Sequence, residues 1–404
     1  MHISLFEPKS TSKNDLLKKN FIDFFIRKGA ATIADVSKET DLSIPTVTKI
    51  LSEMQRDHLV LDCGKSENSG TRKATLYNIN PEMGYFVGID VQQSHILLAL
   101  TDFGGNLLQT KEYKNFKLTD TENAYERLCE AIEDFLNNAA VDRGKILNMG
   151  VNMPGRIDSS KGISYYYMQR SDVPLTEELE KRFGIPTRLD NDTRAMCYGE
   201  YMCGVGKGEK DVIFVNMSWG LGIGIFTDGR LYYGKSGFSG EWGHVNLFDN
   251  EIMCHCGKKG CLETEASGSA IYRRFMEKFQ QGSTTILKEK IEAGNDIVLE
   301  DILDAVKKDD ILSIELVESA GRTLGKYIAG LLNIFNPEVL ILGGSVGAIG
   351  DYLAFPVKTG IMKYTLNYVN NDTELRVATL GNIAGALGAC MLCRSKCLGI
   401  IKDS

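Results

Sequence analysis

Residues 243–263 read GHVNLFDNEIMCHCGKKGCLE, and within them fall His244, Cys254, Cys256 and Cys261. One imidazole and three thiols in one short run match a closed tetrahedral zinc set, which leaves no position for water and so serves structure. Gly257 and Gly260 supply the tight turns that let the thiolates converge. The plain alternative is four unrelated buried residues, since cysteine packs as a small hydrophobe. The C-x-C-G-x-x-G-C spacing with a histidine ten positions upstream argues against it.

The chain has 404 residues, 43% of them hydrophobic and 25% charged, ordinary values for a globular protein of two or three domains. No apolar run approaches the length of a membrane span, and Met1 opens no basic-then-apolar leader. Ten cysteines without such a leader read as reduced thiols in the cytoplasm. Net charge is −7, unevenly spread, because residues 1–78 carry twelve Lys/Arg against ten Asp/Glu. A slightly basic head on an acidic body suits a nucleic-acid module joined to an enzyme-like domain.

The head reads as three helices and a hairpin. Leu16, Leu17, Phe21, Phe24 and Phe25 recur at helical spacing and Gly29 stops the run. Thr32 and Asp35 form a capping box for a second helix. In LSIPTVTKILSEMQRDHLV (42–60), Ser43 is the N-cap and Pro45 sits in the first turn. This third helix is amphipathic through Val47, Ile50, Leu51 and Met54. Its other face presents Thr46, Thr48, Lys49, Gln55 and Arg56, groups suited to phosphates and base edges. A hairpin with Lys65, Arg72 and Lys73 follows, and the order is that of a winged helix-turn-helix. A three-helix protein-docking module shares the core pattern and is the alternative.

The zinc run resembles, position for position, the zinc signature of the ROK family, which joins bacterial sugar kinases and sugar-responsive transcriptional repressors. The head is similar to that of the family's repressors, of xylose and N-acetylglucosamine type. Their wing reads S-G-R-R/K-P, whereas this chain has Ser69-Gly70-Thr71-Arg72-Lys73. The resemblance implies an α/β fold, the actin-like (ribonuclease H-like) two-lobed sugar-kinase fold, preceded by the winged head. The expected division is 1–80 for the head, 81–204 with helix 382–404 for the first lobe, and 205–381 for the second.

It implies further that Asn191, Asp192, Glu241, His244 and Glu263 hold sugar hydroxyls, with Gly155 and Arg156 on a turn beside them. Zinc then shapes the pocket floor and performs no chemistry. Arg156 either donates to the ligand or pairs with Asp158. Asp192 matches the kinases' general base, and a helix N-cap is its bland alternative.

The family's phosphate loops are altered. Where its kinases read D-I/L-G-G-T-K, this chain has Asp90-Val91-Gln92-Gln93-Ser94-His95. Where they read G-T-G-I-G-G-G, it has Ser218-Trp219-Gly220-Leu221-Gly222-Ile223-Gly224. Glutamine and tryptophan side chains fill space that glycine and threonine leave for phosphate. The adenosine-side stretch FNPEVLILGGSV (335–346) is retained.

The expectation is therefore a cytoplasmic regulator, a repressor carried over from the family, with structural zinc and without ATP–Mg. Its partners are double-stranded operator DNA with an inverted repeat and a sugar or sugar-phosphate effector, and it forms a homodimer or dimer of dimers with no membrane partner. The rival is a sugar kinase of glucokinase or N-acetylhexosamine type using Asp192; a third reading is a sugar-binding scaffold whose head docks protein. Cys390, Cys393 and Cys397, at helical spacing, read as core rather than a second metal site.

Overall fold

Local signals set the first helices. In the computed structural model, which describes residue 5 and residues 12–66, 74–114, 116–119, 121–169 and 172–401, α1 spans Lys13–Lys28. Ser12 caps it and Gly29 ends it at φ 76°. After β1 (Ala31–Thr32), α2 (Ile33–Thr40) opens on the reciprocal Thr32–Asp35 box. α3 (Ile44–Arg56) opens on Ser43, whose hydroxyl accepts from Thr46 N. Phe21, Phe25, Val36, Val47, Leu51 and Met54 close a small core. β2 (Val60–Lys65) and β3 (Thr75–Ile79) pair antiparallel, and β1 adds to β3 in the order β1-β3-β2. Lys18 ties α1 to the end of α3 through Asp57 at 2.7 Å. Arg72 and Lys73 lie outside the described residues.

Contacts divide the chain into two compact units, 1–190 with 389–404, and 191–388. In the first, β4 (Tyr85–Val91), β5 (Ile96–Asp102) and β6 (Leu107–Tyr113) are followed by α4 (Glu122–Asn137). Then come β7 (Ile146–Met153), the short pair β8 (Ile157–Asp158) and β9 (Ile163–Ser164), α5 (Leu175–Phe183) and β10 (Thr187–Asn191). The five-stranded sheet runs β10-β7-β4-β5-β6, with β4 parallel to β7 and antiparallel to β5. β4 and β5 are buried along nearly their whole length, as strands covered on both faces are. Leu128, Ile132 and Phe135 of α4 and Leu179 of α5 join their core. α4 ends at Asn137, with Asn138 as its C-cap and the Asn138 side-chain amide donating to Asp134 O at 2.7 Å.

The second unit opens with α6 (Asp192–Cys203), then β11 (Val212–Met217), β12 (Leu221–Thr227) and β13 (Arg230–Leu231). Four helices follow: α7 (Gly268–Gln280), α8 (Lys288–Glu292), α9 (Leu299–Val306) and α10 (Ile311–Phe335). The left-handed φ of Gly282, Gly294 and Asp309 makes the breaks. β14 (Val339–Gly343), α11 (Gly344–Gly347), α12 (Asp351–Tyr364), α13 (Asn367–Asp372) and β15 (Glu374–Val377) complete a sheet ordered β13-β12-β11-β14-β15. The last helix is α14 (Ala384–Leu398), which from Ala389 belongs to the first unit, and its Cys390 and Cys393 are buried. Among the described residues no helix is long and apolar enough to cross a membrane.

Candidate functional site

In the Cys–His run Val245 and Met253 are exposed, while Leu247, Phe248 and Leu262 pack with the core of the second unit. Backbone bonds from Leu247 and Phe248 N–H to Gly260 O, and from Cys254 N–H to Lys258 O, fold it back on itself. Gly260 sits at φ 73°, where a Cβ would come within 2.1 Å of Phe248 O, so no other residue fits that turn.

Ligand atoms of His244, Cys254, Cys256 and Cys261 all lie within 4.8 Å of one another. A tetrahedral ion with bonds of about 2.3 Å to sulfur and 2.05 Å to nitrogen would set sulfurs about 3.8 Å apart and sulfur about 3.6 Å from nitrogen. Cys256 Sγ and Cys261 Sγ stand 3.7 Å apart, and Cys254 Sγ is 3.6 Å from His244 Nδ1. The donor set fits a metal of that geometry. Burial raises the Cys254 and Cys261 thiols. Burial opposes ionisation of Cys256 too, but Lys258 N–H and the other two thiols donate to it and hold it below the ordinary thiol value. Three thiolates gathered this closely call for a cation among them.

Glu263 is buried and pinned. Its Oε2 accepts from Leu221 N at 3.0 Å, and its Oε1 faces His255 Nδ1 at 2.8 Å and the Cys254 thiol at 3.5 Å. Burial raises its pKa, but the His255 contact, the His244 charge and the Leu221 N–H together keep it below the usual carboxylate range. His255 was not among the sequence candidates. Its place between two cysteines was the available signal, but its partner lies eight residues on and only the folded loop brings them together. His244 turns Nδ1 to the thiols and Nε2 to Glu241, 3.6 Å from its Oε2.

Asn191 is the N-cap of α6, accepting from Arg194 N at 3.2 Å, and Asp192 is the first helical residue. The capping role weighed for Asp192 belongs to Asn191. Asp192 Oδ1 accepts from Thr193 N at 2.7 Å. Withdrawal from water pushes its carboxyl above the usual range, against those Thr193 bonds and with Glu241 adding to the rise.

In the first unit, Asp158 accepts from Lys161 Nζ at 2.8 Å and Ser160 at 2.7 Å, so Lys161, not Arg156, is its cation. Gln92 donates to Asp90 at 2.7 Å and Gln93 to Tyr167 Oη at 2.9 Å, engaging both glutamines of the altered loop. In the second unit Ser218 Oγ donates to Asn216 at 2.7 Å and accepts Ser345 N at 3.1 Å, while Trp219 packs on Tyr272 with ring centroids 5.6 Å apart.

On α3, Lys49 and Arg56 are exposed and without a side-chain partner among the described residues. Ser43 and Thr46 hydroxyls bond each other at 2.8 Å, Thr48 donates to Ile44 O, and Lys65 donates to the Thr75 hydroxyl at 2.6 Å.

Two mixed α/β units of these sheet orders, one bearing a Cys₃His cluster, define a protein of the actin-like sugar-kinase fold. The ROK family profile matches residues 86–396, and the chain belongs to that family. It is 27% identical to the xylose repressor of Bacillus spizizenii, over 98% of this chain and 97% of that one. The glucokinase of Halalkalibacterium halodurans is 30% identical over 75% of this chain and 93% of its own. A ROK family transcriptional regulator homologous to the Escherichia coli MLC protein has a crystal structure that superposes with TM-score 0.77 at 27% identity, covering 95% of this chain and 97% of that one.

Proposed function

We propose that the protein is a sugar-responsive, DNA-binding transcriptional regulator, a repressor of carbohydrate-use genes, whose body binds a sugar without phosphorylating it. The observation that carries the reading is coverage: similarity to a xylose repressor runs through the head, 98% of the chain, whereas similarity to a glucokinase covers 75%. The bonds made by Gln92 and Gln93 support it, because side chains so engaged stand where ATP phosphates would need bare backbone.

In this reading residues 1–80 are a winged helix-turn-helix. α3 enters the major groove with Ser43, Thr46, Thr48, Lys49 and Arg56, and Lys65, Arg72 and Lys73 form the wing. Two heads of a homodimer, or of a dimer of dimers, read an inverted repeat. Zinc, held by His244, Cys254, Cys256 and Cys261, supplies a fixed cationic cross-link for the loop. Occupying His244 Nδ1, it leaves Nε2–H to donate to a sugar hydroxyl. Asp192, Glu241 and Glu263 accept from hydroxyls, and Asn191 fixes Asp192 by capping its helix. Gly155 and Arg156 are further sugar-contact candidates that the family resemblance implies. Such positioned acceptors reject analogues that leave them unpaired. The protein works in the cytoplasm, where thiols stay reduced and able to hold zinc.

The second reading, a sugar kinase with Asp192 as general base, is favoured by that carboxyl's raised pKa. A coupled kinase assay over a sugar panel, run beside a gel shift on the gene's upstream region, separates the two. Retarded DNA with no turnover supports the regulator; turnover in the usual range of about 1–10³ s⁻¹ without retardation supports the kinase.

A further inference from the structure

The turn between β11 and β12, residues 218–220, sets a tryptophan close in the chain to a buried carboxylate contact. Trp219 is 45% exposed, and its indole leans on Tyr272 of α7 with ring centroids 5.6 Å apart and planes at 52°. Tyr272 in turn packs against the core of the second unit. Gly220, the next residue, abuts Glu263: a Cβ there would come within 2.9 Å of its Oε2. At Gly222 a Cβ would come within 3.0 Å of the Thr193 hydroxyl, and Thr193 N–H donates to Asp192. The hairpin thus runs past Glu263 and the start of α6, with Trp219 exposed in its turn. All these residues belong to one compact unit.

The turn is held by its own chain. Gly268 N–H donates to Ser218 O at 2.8 Å and Ser269 N–H to Trp219 O at 2.9 Å, while Ala270 N–H donates to the Ser267 hydroxyl at 3.2 Å. Ser345 N–H is taken by the Ser218 hydroxyl at 3.1 Å. The first donors of α7, where a helix would otherwise receive an anion, are therefore spent. What the turn still offers a ligand is a fixed, uncharged aromatic face.

We propose that Trp219 is the platform for a second sugar ring, so that the effector is a neutral disaccharide. The inference rests on the sugar-effector reading above and narrows it. In that reading Asp192, Glu241, Glu263 and His244 take the hydroxyls of the first ring. Trp219 stands one residue, about 3.8 Å along the backbone, beyond the contact of Gly220 with Glu263, so its indole meets what the first ring is linked to. A pyranose has an apolar C–H face and a polar rim, and indole has a flat apolar face with one N–H at its edge. A nucleotide base has a flat face too, but its phosphates would meet donors at the start of α7 that are already used.

The test is titration calorimetry on the full chain with glucose, xylose and N-acetylglucosamine, each beside its β-linked dimer and its phosphate ester, and with ADP. Tryptophan emission is followed in parallel under acrylamide quenching. One dimer is expected to bind about 3–10-fold tighter than its single unit, the range of an aromatic contact beyond area burial, and to shield the emission. Of the chain's two tryptophans Trp242 is only 9% exposed, so the shielding reports Trp219. Trp219→Ala is expected to bring the dimer down to the affinity of the single unit, and Trp219→Phe, which keeps a ring, to retain most of the preference. Equal binding of dimer and unit, a preference that survives Trp219→Ala, or a phosphate ester or ADP binding more tightly than every dimer would overturn this inference and leave the sugar reading standing. Binding by no sugar, single or linked, would overturn both.

Discussion

Lys49→Ala and Arg56→Ala measure what α3 does. The two residues are seven apart, about 10.5 Å along a helix at roughly 1.5 Å per residue and two turns on, so they share a face. Neither is used in packing, and exposed substitutions of this kind change stability by no more than about 0.5 kcal/mol. Each phosphate contact adds about 0.9 to the slope of log affinity against log salt. Two heads on a symmetric site double that to about 1.8 per substitution. Between roughly 50 and 200 mM salt, a fourfold change, the wild type should therefore lose about 12-fold more affinity than either single variant. Fluorescence anisotropy with labelled upstream DNA and a scrambled duplex, titrated across salt, reads this directly. A loss confined to the upstream DNA with an unchanged slope would mark a base contact instead, worth about 1–3 kcal/mol. If both variants keep wild-type slope and affinity on both duplexes, α3 is not the DNA surface.

Metal analysis should find about one zinc per chain, and Cys256→Ala should give an unstable or aggregating protein; zinc-free but fully stable wild type would refute the assignment. Because the thiols must ionise to bind metal, zinc should be retained at neutral pH and released on acidification, a loss that a chromogenic chelator records. Asp192→Asn and Glu263→Gln should still bind operator yet respond poorly to sugar; release at the wild-type sugar concentration would place the pocket elsewhere. Asp158 titrates at about 2 in the folded protein against 3.8 in a free chain. Burial raises it, but the Lys161 and Ser160 bonds and the Lys161 N–H and charge more than offset this. A lowered pKa gives stability that is complete above about pH 4 and lost as pH falls toward 2. Urea unfolding should show Asp158→Asn less stable by on the order of 1–2 kcal/mol at pH 6, with the gap closing below pH 4; a gap constant with pH would refute it.

What the sequence makes legible is local. Ser43, the Thr32–Asp35 box and Gly29 act within one turn, and the folded head uses each as a cap or stop. The convergence of the Cys–His set is likewise written in a short run whose glycines bend it. What escapes is set at long range. Gln93 and Tyr167 are 74 positions apart, so nothing near either predicts their bond. His255 acquires its role from Glu263, itself fixed by Leu221 N–H on another element. Asn191 rather than Asp192 caps α6, a one-residue distinction that depends on where the first helical φ/ψ pair falls. The break between α9 and α10 also escapes, because Asp309 adopts a left-handed conformation that its residue type permits without requiring.

Footprinting of the gene's own upstream DNA with the full-length protein, repeated with sugars at saturation, tests the central claim most directly. The account predicts a protected inverted repeat whose protection weakens about 5–150-fold when the effector is present, the range of a coupling of about 1–3 kcal/mol. Protection of no site, or protection that no sugar alters while the same preparation phosphorylates a hexose, would contradict it.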